Sequence, residues 1–148
     1  MNITDYVKAG YPAIAVNTQE PYRAIHAIHA DGWKVFTWDC LQGITQPNGV
    51  SIETIIDPLG ALTWLANQSD AILIMQNFHH FLSSVEVIQG IQNNINIFKS
   101  QGSCLVLASP PFSLPIEIEK SFAILDFSLP SSDHLTTIME ELGEAVGV

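Results

Sequence analysis

Residues 71–75 (AILIM) form an unbroken apolar run that ends abruptly in Gln76, Asn77, Phe78, His79, His80 and Phe81. A half-buried strand alternates apolar with polar residues, and this run does not, so it reads as a strand covered on both faces. Such strands belong to parallel sheets flanked by helices, and parallel sheets hold their ligands at the carboxyl ends of the strands. Gln76, Asn77, His79 and His80 therefore stand where chemistry would normally sit.

The rest of the chain supplies what such a strand requires. Tyr11–Val16, Trp33–Asp39, Cys104–Ala108 and Phe122–Phe127 read as four further strands. Trp33–Asp39 alternates more than the others, which predicts an edge strand guarded by Lys34. A helix is expected from Pro21 to about Ala30, with Tyr22, Ile25 and Ile28 on one side and Gly32 closing it. The next starts at the Asp57-Pro58 cap, and a long one at Ser83 or Ser84 with the stripe Ile88, Ile91, Ile95 and Phe98. That helix ends at Gly102 and carries an uncharged amide face of Gln89, Gln92, Asn93, Asn94 and Asn96. Between the second strand and the Asp57 cap, Gly43, Pro47, Asn48 and Gly49 predict a loop or short hairpin. The repeated strand–helix order predicts one three-layer α-β-α domain over 1–130 with a mainly parallel, five-stranded sheet. Residues 131–148 read as a C-terminal helix, Asp133 to Ala145.

Charge excludes more than it assigns. Five basic residues stand against fifteen acidic ones, and no two basics are close in sequence, so no nucleic-acid groove is expected. The same scarcity disfavours phosphoanhydride chemistry, which neutralises developing charge with Lys, Arg and a metal. No apolar run is long enough to span a bilayer and no basic-then-apolar leader opens the chain, which predicts a cytoplasmic protein. Cys40 and Cys104 lack metal-knuckle spacing and read as free buried thiols. His26 and His29, three apart on a helix, have no third ligand to complete a metal set.

Five short segments, in order, resemble the N-terminal, non-catalytic domain of the AAA-type ATPases of cyanobacteria and chloroplast genomes. They are YPAIAVNTQEPYRAI, FTWDCLQGI, DPLGALTWL, ILIMQNFHHFL and CLVLASPPFSLPIEIEKSFAILDFSLP, and they span nearly the whole chain. The resemblance implies a P-loop-NTPase-like sheet. At the phosphate-loop position, however, the chain reads Asn17, Thr18, Gln19, Glu20, Pro21, with no glycine and no lysine of GxxxxGK[ST] and with an added carboxylate that would repel phosphate. The strand that would carry magnesium-binding acids ends in Gln76 and Asn77, and the stretch Pro110 to Phe122 before the last strand contains Lys120 and no arginine. The P-loop is thus absent, and the C-terminal helix matches the start of a truncated lid.

The resemblance implies a catalytically inactive AAA-like domain that acts as a regulatory, assembly or protein-interaction module in or with an AAA-type ATPase. Its expected partners are proteins, an AAA-type ATPase or a second copy, with no cofactor, metal or membrane. The loop Phe78, His79, His80, Phe81 is the expected contact, its phenylalanines either anchoring a partner or plugging the end of the sheet. Two alternatives are nucleotide binding without hydrolysis, and a small enzyme built from His79, His80, Asp39 and Ser109 at the strand ends.

Overall fold

The five apolar runs become β1 (Ala13–Asn17), β2 (Lys34–Asp39), β5 (Ala71–Gln76), β6 (Cys104–Ser109) and β7 (Ala123–Asp126) in a computed structural model that describes residues 3–127. All five are mutually parallel, in the order β2-β5-β6-β1-β7. An antiparallel hairpin, β3 (Gly43–Thr45) and β4 (Ser51–Glu53), extends the sheet past β2 to seven strands. The hairpin explains the glycine at its start. Gly43 sits at φ +78°, and a Cβ there would lie 2.7 Å from the Glu53 carbonyl oxygen.

Each parallel strand sends alternate residues to opposite faces. Ala13, Leu73, Leu105 and Leu107 pack under α3 (Pro58–Ala66) and α4 (Val85–Gln101) through Leu62, Leu65, Ile91 and Phe98. Ile14, Ile72, Ile74 and Val106 pack under α1 (Ile3–Lys8) and α2 (Pro21–Ala27) through Val7, Ala24, Ile25 and Ile28. In β5 every residue from Ala71 to Met75 is buried, as its unbroken apolar run requires. Each large aliphatic side chain so buried contributes about 1.5–3 kcal/mol, and β5 shares this role with its neighbour β6, which is buried at every position.

The helix starts follow local chemistry. The Asp57 carboxylate accepts from the Gly60 N–H at 2.8 Å, Ser84 Oγ accepts from the Val87 N–H at 3.3 Å, and Gly102 ends α4 in the left-handed conformation. A 3₁₀ turn, Glu119–Ser121, is the only helical structure before β7 among the described residues that follow β6.

Several expectations are corrected. β2 is not a plain edge strand, because β3 covers Thr37 to Asp39; only Lys34 to Phe36 stays open. Among the described residues the edges are β4 and β7, and β7 alternates in burial although FAILDF is nearly continuous in apolar character, since of the described strands only β1 flanks it. α2 stops at Ala27 instead of reaching Ala30. Ile28 turns extended and drops into the core, and Gly32 closes a separate turn at φ +91°. Tyr22 leaves the apolar side of α2 and is 74% exposed, and Cys40 is exposed while only Cys104 is buried. Helix α1 had no counterpart in the sequence reading. Four of the five amide side chains on that face of α4 find partners within the chain, with Gln92 Nε2 donating to the Glu117 carbonyl at 3.2 Å, Asn94 Nδ2 to the Gly90 carbonyl at 2.8 Å, and Gln89 Nε2 to Asn93 Oδ1 at 2.8 Å. The C-terminal helix expected at Asp133 to Ala145 lies outside the described residues.

Candidate functional site: the carboxyl end of the sheet

Register places Asp39, Gln76, Ser109, Asn17 and Asp126 along one rim, since Trp38 pairs with Met75, Gln76 with Ala108, and Asn17 with both Ser109 and Asp126. At the phosphate-loop position the backbone is closed on itself. The Thr18 N–H donates to the Ser109 carbonyl at 2.8 Å, and the Glu20 N–H donates to Thr18 Oγ1 at 2.9 Å. Pro21, which opens α2, has no N–H to offer. Asn17 Nδ2 donates to Asp126 Oδ1 at 3.1 Å, and the Phe127 N–H to the Asn17 carbonyl at 2.9 Å, so the loop is tied to both neighbouring strands. Glu20 and Arg23 form an exposed ion pair at 3.6 Å, which leaves no unpaired cation in this loop.

The end of β5 turns sharply. Asn77 takes the left-handed conformation at φ 56°, which its short amide tolerates better than most side chains. The 3₁₀ turn Phe78–Phe81 follows. Phe78 is fully buried and stacks edge-on to Trp38 at 5.9 Å between ring centroids; Phe81, half-buried, meets the same indole at 5.9 Å. Trp38 Nε1 donates to the Ile55 carbonyl at 2.8 Å and fixes the indole. Phe78 therefore plugs the end of the sheet and has no surface for a partner, while His80 is exposed and His79 half-buried.

The two histidine rings lie 4.1 Å apart, and His79 also faces Phe112 at 5.3 Å. His79 Nδ1 is buried without a hydrogen-bond partner among the described residues. Burial, and then the adjacent His80, hold the His79 imidazole below the ordinary histidine range. Burial likewise pushes the Cys104 thiol up, which makes it a small apolar core residue.

Alternation separates the groups proposed for a small enzyme. Asp39 and Gln76 project to the α2 face and line a cavity of about 220 Å³ with Tyr22, His26, Thr37 and Thr45. Ser109 follows Ala108, whose side chain packs on that α2 face, so its own side chain turns to the opposite face, and its Oγ donates to the Pro110 carbonyl at 3.0 Å. Asp39 and Ser109 therefore lie on opposite sides of the sheet and cannot serve one substrate atom with His79. Asp39 Oδ1 is further engaged as acceptor for the Leu41 and Gln42 N–H groups, at 2.8 and 2.7 Å. Among the described residues no cluster of three or more His, Cys, Asp or Glu could hold a metal ion; His26 instead meets Tyr22 edge-on at 4.5 Å.

The sequence reading missed this α2-face cavity. Half its wall comes from the hairpin, through Gln42, Thr45, Gln46, Pro47 and Gly49. Thr37 and Thr45, buried and 2.6 Å apart between hydroxyl oxygens, join β2 to β3 beneath it. The turn residues Pro47, Asn48 and Gly49 were the available signal, but not the strand they would pair with.

Comparison with known proteins agrees with this architecture. The SpoVK-like AAA ATPase, N-terminal domain family matches residues 1–127. Three curated relatives carry the description uncharacterized AAA domain-containing protein ycf46. The chain is 24% identical to that of Guillardia theta over 149 residues, covering 95% of this chain and 29% of the relative. It is 25% identical to that of Trieres chinensis, covering 92% and 29%, and 26% identical to that of Pyropia yezoensis, covering 96% and 30%. The chain thus spans about three-tenths of the length of these relatives. No helix among the described residues is long and apolar enough to cross a membrane.

Proposed function

The chain belongs to the SpoVK-like AAA ATPase N-terminal domain family, and from that premise we propose that it is a non-hydrolysing regulatory or assembly module of an AAA-type ATPase, acting through protein contacts. The observation that carries this reading is the closed loop after β1. A phosphate cradle needs free backbone N–H groups at a helix start. Here the Thr18 and Glu20 N–H groups are already bonded, Pro21 has none, and the Glu20 and Asp126 carboxylates stand beside them. Gln76 and Asn77 offer amides where magnesium would need carboxylates.

The contact surface assigned by this reading comprises His79, His80 and the accessible part of Phe81. Leu41, Val50, Ile52 and Ile56 of the hairpin region add to it, all exposed, with Leu41 at 86%. Isothermal titration with ATP and ADP, with and without magnesium, tests the reading. The expected result is no binding at micromolar nucleotide; micromolar affinity in any arm overturns it.

A further inference from the structure

At the opposite, amino-terminal end of the sheet lies a cavity of about 320 Å³ that the family relationship does not assign. Its floor is apolar, from Pro12, Ile95 and the buried Phe122. Its rim carries Lys99 and Lys120. No described carboxylate pairs with either ammonium, and the side chains of Asn96 and Ser121, which also face the cavity, have no partner among the described residues.

The wall is built before any ligand arrives. The turn from α1 into β1 is held by the Gly10 N–H on the Val7 carbonyl at 3.0 Å and the Tyr11 N–H on the Tyr6 carbonyl at 3.1 Å. Tyr11 packs edge-on against Tyr6 at 4.9 Å, and the Leu105 N–H donates to the Pro12 carbonyl at 2.9 Å. A fixed apolar floor with a few polar groups at its mouth is the usual form of a small-molecule site, and about 320 Å³ falls near the lower limit of such sites.

Charge selects the ligand. The chain has a formal net charge of −10 and only five basic residues, yet Lys8, Lys34, Lys99 and Lys120 all lie at this end of the sheet. Lys8 ends α1, Lys34 starts β2, Lys99 is in the last turn of α4, and Lys120 immediately precedes β7. Two ammonium groups over an apolar floor suit one anionic group carried on a compact hydrophobic body. We infer that the cavity between the α1–β1 turn, the end of α4 and the start of β7 binds a small amphipathic organic anion, its carboxylate or phosphate between Lys99 and Lys120 and its apolar part on Ile95 and Phe122.

Amide chemical-shift titrations of the 148-residue chain with benzoate and with phenyl phosphate test this, with benzamide as the neutral control. Saturable shifts at Tyr11, Asn96, Lys99 and Phe122 are expected for at least one anion, and the tighter of the two identifies the anionic group. The double variant Lys99→Gln, Lys120→Gln should weaken that binding by about tenfold or more, as loss of two charge-assisted contacts requires, while Lys34→Gln leaves it unchanged. The inference is overturned if neither anion gives saturable shifts there, if benzamide binds as tightly, or if the double variant binds like the parent. The site is at the far end of the sheet from the loop after β1, so these outcomes are independent of nucleotide binding.

Discussion

The two ends of one sheet differ in charge and in finish. At the carboxyl end the strand tips are acidic, with Asp39 and Asp126 joined by Glu20, and the one nearby cation, Arg23, is paired with Glu20. The backbone there is closed by its own hydrogen bonds, and Trp38, Phe78 and Phe81 fill the space under the rim on the α3–α4 face. At the amino end Asp31, Asp70 and Glu119 are present too, but four of the five basic residues gather there and two of them, Lys99 and Lys120, border the cavity of about 320 Å³. A parallel sheet normally places its ligand at the carboxyl ends of its strands. Here the α3–α4 side of that end is filled by aromatic core and the α2 side keeps a cavity of about 220 Å³ beside Asp39, while the lysines stand at the other end.

The largest expected effect tests whether the carboxyl end is filled as core. Phe78→Ala removes a fully buried ring from the cluster with Trp38, and should lower unfolding free energy by about 3–5 kcal/mol in urea denaturation. A loss below about 1 kcal/mol would mean that the ring is not structural and would restore Phe78 as a contact residue. At the amino end, Gly102→Ala forces a side chain into left-handed backbone and brings its Cβ to 2.5 Å from Asp70 Oδ1. It should cost about 1–2 kcal/mol by the same assay. No loss would indicate that the α4–β6 corner bordering the lysines adapts freely.

The smallest effect concerns pH. Because the His79 imidazole is held below its ordinary range by burial and by His80, the folded chain binds fewer protons there than the unfolded chain. The stability this group contributes is therefore present above the unfolded value of about 6.5 and is lost as pH falls through the folded value. Urea midpoints followed from neutral pH to about 5 should fall more steeply for the parent than for His79→Gln. Equal slopes would remove His79 as a pH-sensitive element of the carboxyl rim.

Legibility in the sequence followed the range of the interaction. The Asp57 and Ser84 caps, the Gly102 stop and the AILIM strand are decided by residues a few positions apart, and all stand where the local pattern puts them. The α2 boundary was misread because Ile28 leaves the helix to fill a core that the helix sequence does not describe. The edge role of β2 was misread because its covering strand comes from a hairpin whose pairing depends on Gly43 approaching Glu53 closely. For the candidate site, the missing phosphate-loop residues were readable directly, whereas the closure of that loop depends on Ser109 and Asp126, about a hundred residues away.

By itself, then, the sequence determined a parallel α/β domain with a central buried strand, and the absence of glycine, lysine and acid residues where phosphate and magnesium would bind. Burial on both faces and N-capping are properties of short segments, so composition and spacing suffice to read them. Only the tertiary structure decided that Phe78 faces the core, that Asp39 and Ser109 lie on opposite sides of the sheet, and that lysines scattered along the chain converge on one end. Those outcomes depend on strand order, register and direction, which are set by contacts between residues far apart in sequence.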